Sequence, residues 1–141
     1  MRIAVIDGQG GGIGKAIVEK LRISLGDKIE ILALGTNALA TALMLKAGAN
    51  EGASGENAII VNASKVDFIV GSIGIISANS MLGELSPPMA KAISESPAKK
   101  VLIPLNRCNI YVVGVRNVPL PHYIDDVIEL ISSFIGGNQN V

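Results

Sequence analysis

The chain has 141 residues, 49% of them apolar, enough for one buried core with no length left for a second. Twelve basic residues balance twelve acidic ones and neither sign forms a run, which excludes the electrostatic footprint of a nucleic-acid binder or a polybasic membrane binder. A single cysteine, Cys108, excludes an internal disulfide and a cysteine-based zinc cluster, so no metal site is expected.

Met1 leads directly into the apolar run Ile3 to Ile6 without a secretory pattern, and no later run approaches the roughly 20 apolar residues of a membrane span. A cytoplasmic protein is expected. Arg2 to Asp7 reads as a strand, and Ile13, Ile17, Leu21 and Leu25 recur at helical spacing until Gly26 ends them. Lys28 to Leu34 reads as a second strand. A helix capped by Thr36 then carries Leu39, Ala42, Leu43 and Ala47 on its packing face and closes at Gly48.

Ala49 to Gly55 reads as a small-residue loop. Glu56 to Lys65 contains β-branched residues but is read as a helix, because its acid leads, its lysine trails, and Asp67 to Gly71 already supplies the next strand. A short helical turn follows over Ser77 to Gly83, and Ser86 with Pro87 starts a helix that Pro97 stops. Lys100 to Leu105 is a fourth strand and Asn109 to Val115 a fifth. The few residues between them cannot hold a crossover helix, so the fifth strand is expected to run antiparallel. Pro119 and Pro121 introduce a last helix packed through Ile124, Val127, Ile128, Ile131 and Ile135.

These elements predict an α/β, Rossmann-like three-layer sandwich with a mostly parallel sheet of about five strands, the last antiparallel. Residues 1–135 form one nucleotide-binding domain in this reading, and 136–141 a flexible tail. The high apolar fraction for so small a domain also predicts a homo-oligomer.

The chemistry is concentrated in Asp7-Gly8-Gln9-Gly10-Gly11-Gly12-Ile13-Gly14. Glycines between a strand and a helix let a phosphate approach the backbone and aim helix N–H groups at negative charge. Gly8, Gly12 and Gly14 match GxxxGxG, and this turn resembles that of the short-chain dehydrogenases and reductases. The resemblance implies that Gly8 to Gly14 hold the pyrophosphate of NAD or NADP.

That family's active-site YxxxK is missing, because Tyr111 is followed four residues on by Val115 and Tyr123 by Val127. The second strand ends in Leu34-Gly35-Thr36-Asn37, without the acid that holds a ribose or the arginine that accepts a 2′-phosphate. Thr36 and Asn37 are therefore the candidate ribose or base contacts, with helix capping as their other role. Asp7 would repel a diphosphate unless it bonds to loop N–H groups or a bound metal, and it is expected to orient the turn.

Gly11-Gly12-Ile13-Gly14-Lys15-Ala16 also resembles the phosphate loop of the nitrogenase-reductase and partition ATPase group, which implies Lys15 on phosphate; its other role is a solvated first-turn residue. Ala16 stands in place of that group's magnesium-binding hydroxyl and Gln9 in place of its signature lysine.

Gly71 and Ser72, at the end of the third parallel strand, are expected to face the first turn, with Asn79 beyond them. Asn106 and Arg107 are placed on the same side, Arg107 as a phosphate partner, beside Cys108 as a buried thiol or a nucleophile. His122 reads as a surface residue. Asp125, Asp126 and Glu129 read as a solvated helix face.

Taken whole, IDGQGGGIG, GSIGIISANSMLGE and LIPLNRC resemble a short bacterial family known as a domain of unknown function and grouped with NAD(P)-binding Rossmann-like folds. Three functions fit these residues. The first is a nucleotide- or dinucleotide-binding protein for a small phosphate-bearing ligand. The second is a minimal oxidoreductase or transferase using Cys108 or Arg107 in a site shared between subunits. The third is a structural subunit in which the glycines only pack.

Overall fold

The computed structural model describes residues 1–105 and 109–136; Asn106, Arg107, Cys108 and the tail from 137 lie outside the described residues. Strands β1 (Arg2–Asp7), β2 (Glu30–Gly35), β3 (Glu51–Ser54), β4 (Phe68–Ser72) and β5 (Lys99–Ile103) form one sheet in the order β3-β2-β1-β4-β5. Every neighbouring pair is parallel. Parallel neighbours need crossovers, and the chain supplies α1 (Gly12–Leu25), α2 (Ala38–Ala47), α3 (Glu56–Asn62), α4 (Pro87–Glu95) and, after β5, α5 (Leu120–Ile135).

The period of two along β1 divides the core between two faces. Ile3 and Val5 pack with Ile17 and Leu21 of α1, Met44 of α2 and Ile131 of α5. Ala4 and Ile6 pack with Ile59 of α3 and Met89 and Ile93 of α4. Burial of each large aliphatic side chain contributes about 1.5–3 kcal/mol, so truncation of Ile6 to alanine removes support from one whole face. The chain moves outward from β1 to β2 and β3, then returns to β4 and continues the other way. The sheet therefore changes direction between β1 and β4, and the crevice above their carboxyl ends is where open α/β sheets bind ligands.

Four expectations are corrected. The sheet is wholly parallel, and residues 109–115 form no strand, antiparallel or otherwise. Leu105 N–H turns back on the Ile103 carbonyl at 2.9 Å, and left-handed Asn109 (φ 55°) and Gly114 (φ 89°) break the extended geometry that the β-branched residues between them favour. The fifth strand is instead β3, inside the segment read as a loop. Glu51–Ser54 has no β-branched residue, yet it pairs with β2 because the bare Gly52 admits Thr41 and Leu45 of α2 and the Ser54 hydroxyl donates to Thr41 Oγ1 at 2.7 Å.

Helix α2 buries Ala40, Thr41 and Met44 and leaves Leu39 58% exposed. It is apolar nearly all round, so periodicity does not fix which face packs. Its cap is Asn37, whose Oδ1 accepts from Ala40 N–H at 2.9 Å, and not Thr36. The segment read as a helix over Glu56 to Lys65 is helical over Glu56–Asn62, with Glu56 in its first turn and Lys65 beyond its end.

Candidate functional site

The turn after β1 is shaped by its own carboxylate. Asp7 is only 6% exposed, and its two oxygens accept from the N–H groups of Gly8 at 2.8 Å and Gly14 at 2.6 Å. Asp7 thus caps α1 from outside the helix, placing negative charge where the dipole favours it. Gly11 takes φ 76° at the helix N-cap, and a Cβ there would stand 2.8 Å from Ala40 Cα, so both conformation and packing demand glycine. A Cβ on Gly8 would lie 2.3 Å from Thr36 Oγ1, and one on Gly14 would strike Met44 and Asp7.

Gly10 and Gly12 differ from these three. Neither has a positive φ, and apart from chain neighbours and the backbone of α1 itself no described atom lies within 4 Å of a Cβ built on either. Neither conformation nor packing requires glycine there. The amides of Gly12 and Ile13, first in α1, have no intrahelical partner by position and receive none from the described residues.

These bare positions line a crevice of about 690 Å³ above the switch between β1 and β4. Its polar wall is Asp7 to Gly12 with Ser72 and Ser80, and its apolar wall includes Ile13, Met81, Leu105 and Leu120. Ser80 donates to the Gly74 carbonyl at 2.5 Å, whereas Ser72 makes no side-chain hydrogen bond among the described residues.

Of the residues singled out from sequence, Gly8, Gln9, Gly10, Gly11, Gly12, Ile13 and Ser72 come together here. Gly14 sits behind them on Asp7, and Gly71 presses against the Ile6 carbonyl inside the sheet. Lys15 points to Glu19 at 4.0 Å and does not line the crevice. His122 lies in a separate groove against β5, and Asp125 pairs with Lys20 at 3.4 Å. Among the described residues no His, Cys, Asp or Glu cluster suited to a metal forms, and no helix is long and apolar enough to cross a membrane.

Sequence reasoning missed Glu84. One of its carboxylate oxygens accepts from Gln9 N–H at 2.9 Å, Thr36 Oγ1 at 2.7 Å and Asn37 Nδ2 at 2.8 Å, tying the loop after β4 to the ends of both β1 and β2. The Thr36 hydroxyl, then the Gln9 amide and the Asn37 amide, hold its pKa below the ordinary carboxylate value, against a smaller opposing effect of burial. The loop reaches this position through left-handed Asn79 (φ 66°), Met81 (φ 58°) and Leu82 (φ 56°), the last 96% exposed. The sequence hint is the short helical turn expected over Ser77 to Gly83, but its reach back across the sheet is a tertiary property.

Fold and crevice together define an α/β protein with a doubly wound, all-parallel sheet and a glycine turn opening on its switch point. Within that class, the chain belongs to the family described as "Domain of unknown function (DUF3842)", whose model matches residues 2–136. No curated protein and no solved structure matches it.

Proposed function

We propose that this Rossmann-like protein binds a nucleotide or dinucleotide of the NAD(P) kind, with a phosphate seated on the amides of Gly12 and Ile13. The observation that carries this reading is the bareness of Gly10 and Gly12. A glycine that neither conformation nor packing requires leaves backbone uncovered, and both glycines uncover it toward the crevice. The crevice has the size of a small-molecule site, and its walls suit a ligand with one charged end and an apolar or aromatic body.

The phosphate end fits this chain well: two helix amides without a hydrogen bond among the described residues stand at a positive dipole end, and the carboxylate of Asp7 is bonded to Gly8 and Gly14. The ribose end of a dinucleotide fits through a substitution. Strand β2 carries no acid at its end, but Glu84 brings a carboxylate to Thr36 and Asn37, and its second oxygen is not engaged among the described residues. Ser72 has a hydroxyl to offer a ligand lying over β4.

Titration calorimetry with NAD, NADP, ATP, AMP and inorganic phosphate tests the proposal. At least one phosphate ester is expected to bind below about 1 mM, and at 100 times its dissociation constant to stabilise the fold by about 2.7 kcal/mol. Absence of heat and of stabilisation with every one of them at millimolar concentration would refute it.

A further inference from the structure

Residues 79–84 form a strap between the segment after β4 and the glycine turn, and it is held at both ends. At its start Asn79 N–H donates to the Leu85 carbonyl at 2.7 Å and the Ser80 hydroxyl to the Gly74 carbonyl at 2.5 Å. At its end Glu84 accepts from Gln9, Thr36 and Asn37, and Leu85 behind it is wholly buried. Met81 packs inward, its Sδ 2.8 Å from where a Cβ on Gly8 would stand. Leu82 is different: it is left-handed, lines the crevice and leaves 96% of its surface in water. Asparagine and glycine adopt this backbone more readily, and Gly83 beside it does so at φ 91°. Left-handed residues persist where their surroundings fix them, and here the bonds of the strap hold an apolar side chain open at the crevice.

Given the phosphate seat proposed for Gly12 and Ile13, on which this rests, we infer that the strap is a preformed clamp for the base of a nucleoside phosphate, with Leu82 as the residue that covers the base. A bare phosphate or sugar phosphate offers oxygens and hydroxyls, which gain nothing from Met81, Leu82, Leu105 and Leu120 in the crevice wall. Toward β2, the Thr36 hydroxyl hydrogen is spent on Glu84 and the Asn37 amide hydrogens on Glu84 and the Gln9 carbonyl, and neither residue lines the crevice. The ring of a bound nucleotide is therefore directed to the β4 side, where the apolar side chains stand. A dinucleotide places one of its two rings here. A flat ring under Leu82 buries surface that the fold alone leaves in water, which offsets the cost of a left-handed leucine.

Titration calorimetry of the full chain with AMP and with ribose 5-phosphate, which differ by the base, tests the clamp. The wild type is expected to bind AMP at least about tenfold more tightly. Asparagine keeps the left-handed backbone while removing the apolar contact. Leu82→Asn is thus expected to lose most of that difference, with ribose 5-phosphate bound as before and a thermal midpoint no lower than the wild type's. Leu82→Met, still apolar, is expected to keep most of it. Equal affinity of the wild type for both ligands, AMP binding untouched by Leu82→Asn, or an equal loss for both ligands overturns the clamp. In each of these cases ribose 5-phosphate binding that Gly12→Ala weakens leaves the phosphate seat standing, whereas binding of neither ligand to the wild type removes seat and clamp together.

Discussion

At the residue scale, two carboxylates hold the glycine turn, one from within it and one from the loop after β4. Asp7 is buried and satisfies the Gly8 and Gly14 amides. An asparagine there has one acceptor oxygen, and its NH₂ would face an amide donor, so Asp7→Asn is expected to cost about 1–3 kcal/mol. Urea denaturation reads this as a lower midpoint at unchanged slope, and an unchanged midpoint would remove Asp7 from the account. Glu84 is part-exposed, and its value lies in tethering the loop more than in stability.

Its lowered pKa fixes the pH dependence of that tether. The ionised form is favoured in the fold, so the contribution is fully present above the unfolded-state pKa and fades as pH falls through the lower folded one. The stability gap between wild type and Glu84→Gln is therefore expected to shrink from neutral pH to about pH 3. A gap that is constant with pH would mean that the carboxylate charge plays no part.

At the element scale, the loop after β4 and the ends of α1 and α2 show how side chains hold what backbone propensity does not. Leu82 is left-handed yet almost wholly exposed, a conformation that costs an L-residue about 1–2 kcal/mol without a packing return. Leu82→Gly is expected to raise stability by up to about 1 kcal/mol, and a ligand body resting on Leu82 would at the same time be held less tightly. A drop in thermal midpoint would show that Leu82 makes a stabilising contact.

Arg22 is the converse case. Its guanidinium donates to the carbonyls of Gly48, Gly26 and Ile29 and to Asn50 Oδ1, joining the ends of α1 and α2 to the start of β2. Lysine has no planar fork to span these acceptors, so Arg22→Lys is expected to lose most of what Arg22→Ala loses, about 1–3 kcal/mol. Full retention of stability by the lysine variant would contradict this.

At the scale of the whole molecule, the legible parts of the fold were those encoded locally. β1, the glycine turn and α1 follow from Arg2 to Leu25, where β-branched residues, glycines and helical spacing succeed one another. β3 was not legible, because Glu51, Gly52, Ala53 and Ser54 have no strand propensity and pair only once β2 and Thr41 are in place. Residues 109–115 misled in the other direction: Ile110, Val112 and Val113 have the composition of a strand but pair with no strand among the described residues. The candidate site divides in the same way. Gly8 to Ile13 were visible as a motif, whereas Glu84 and Met81 reach the site from about 75 residues away along a loop whose path sequence cannot give.

The motif by itself also did not distinguish glycines that pack from glycines that face the crevice. Gly8, Gly11 and Gly14 are spoken for by Thr36, Ala40 and Asp7, and only Gly10 and Gly12 are bare. Substitution at these two positions therefore separates binding from folding. Calorimetric titration of Gly12→Ala with the tightest-binding phosphate ester, beside its urea denaturation, is the most direct test of the account. Affinity is expected to fall at least tenfold, with stability equal to the wild type or up to about 1 kcal/mol higher, since alanine loses less entropy on folding than glycine. Unchanged affinity, or a loss of stability that matches the loss of binding, would contradict it.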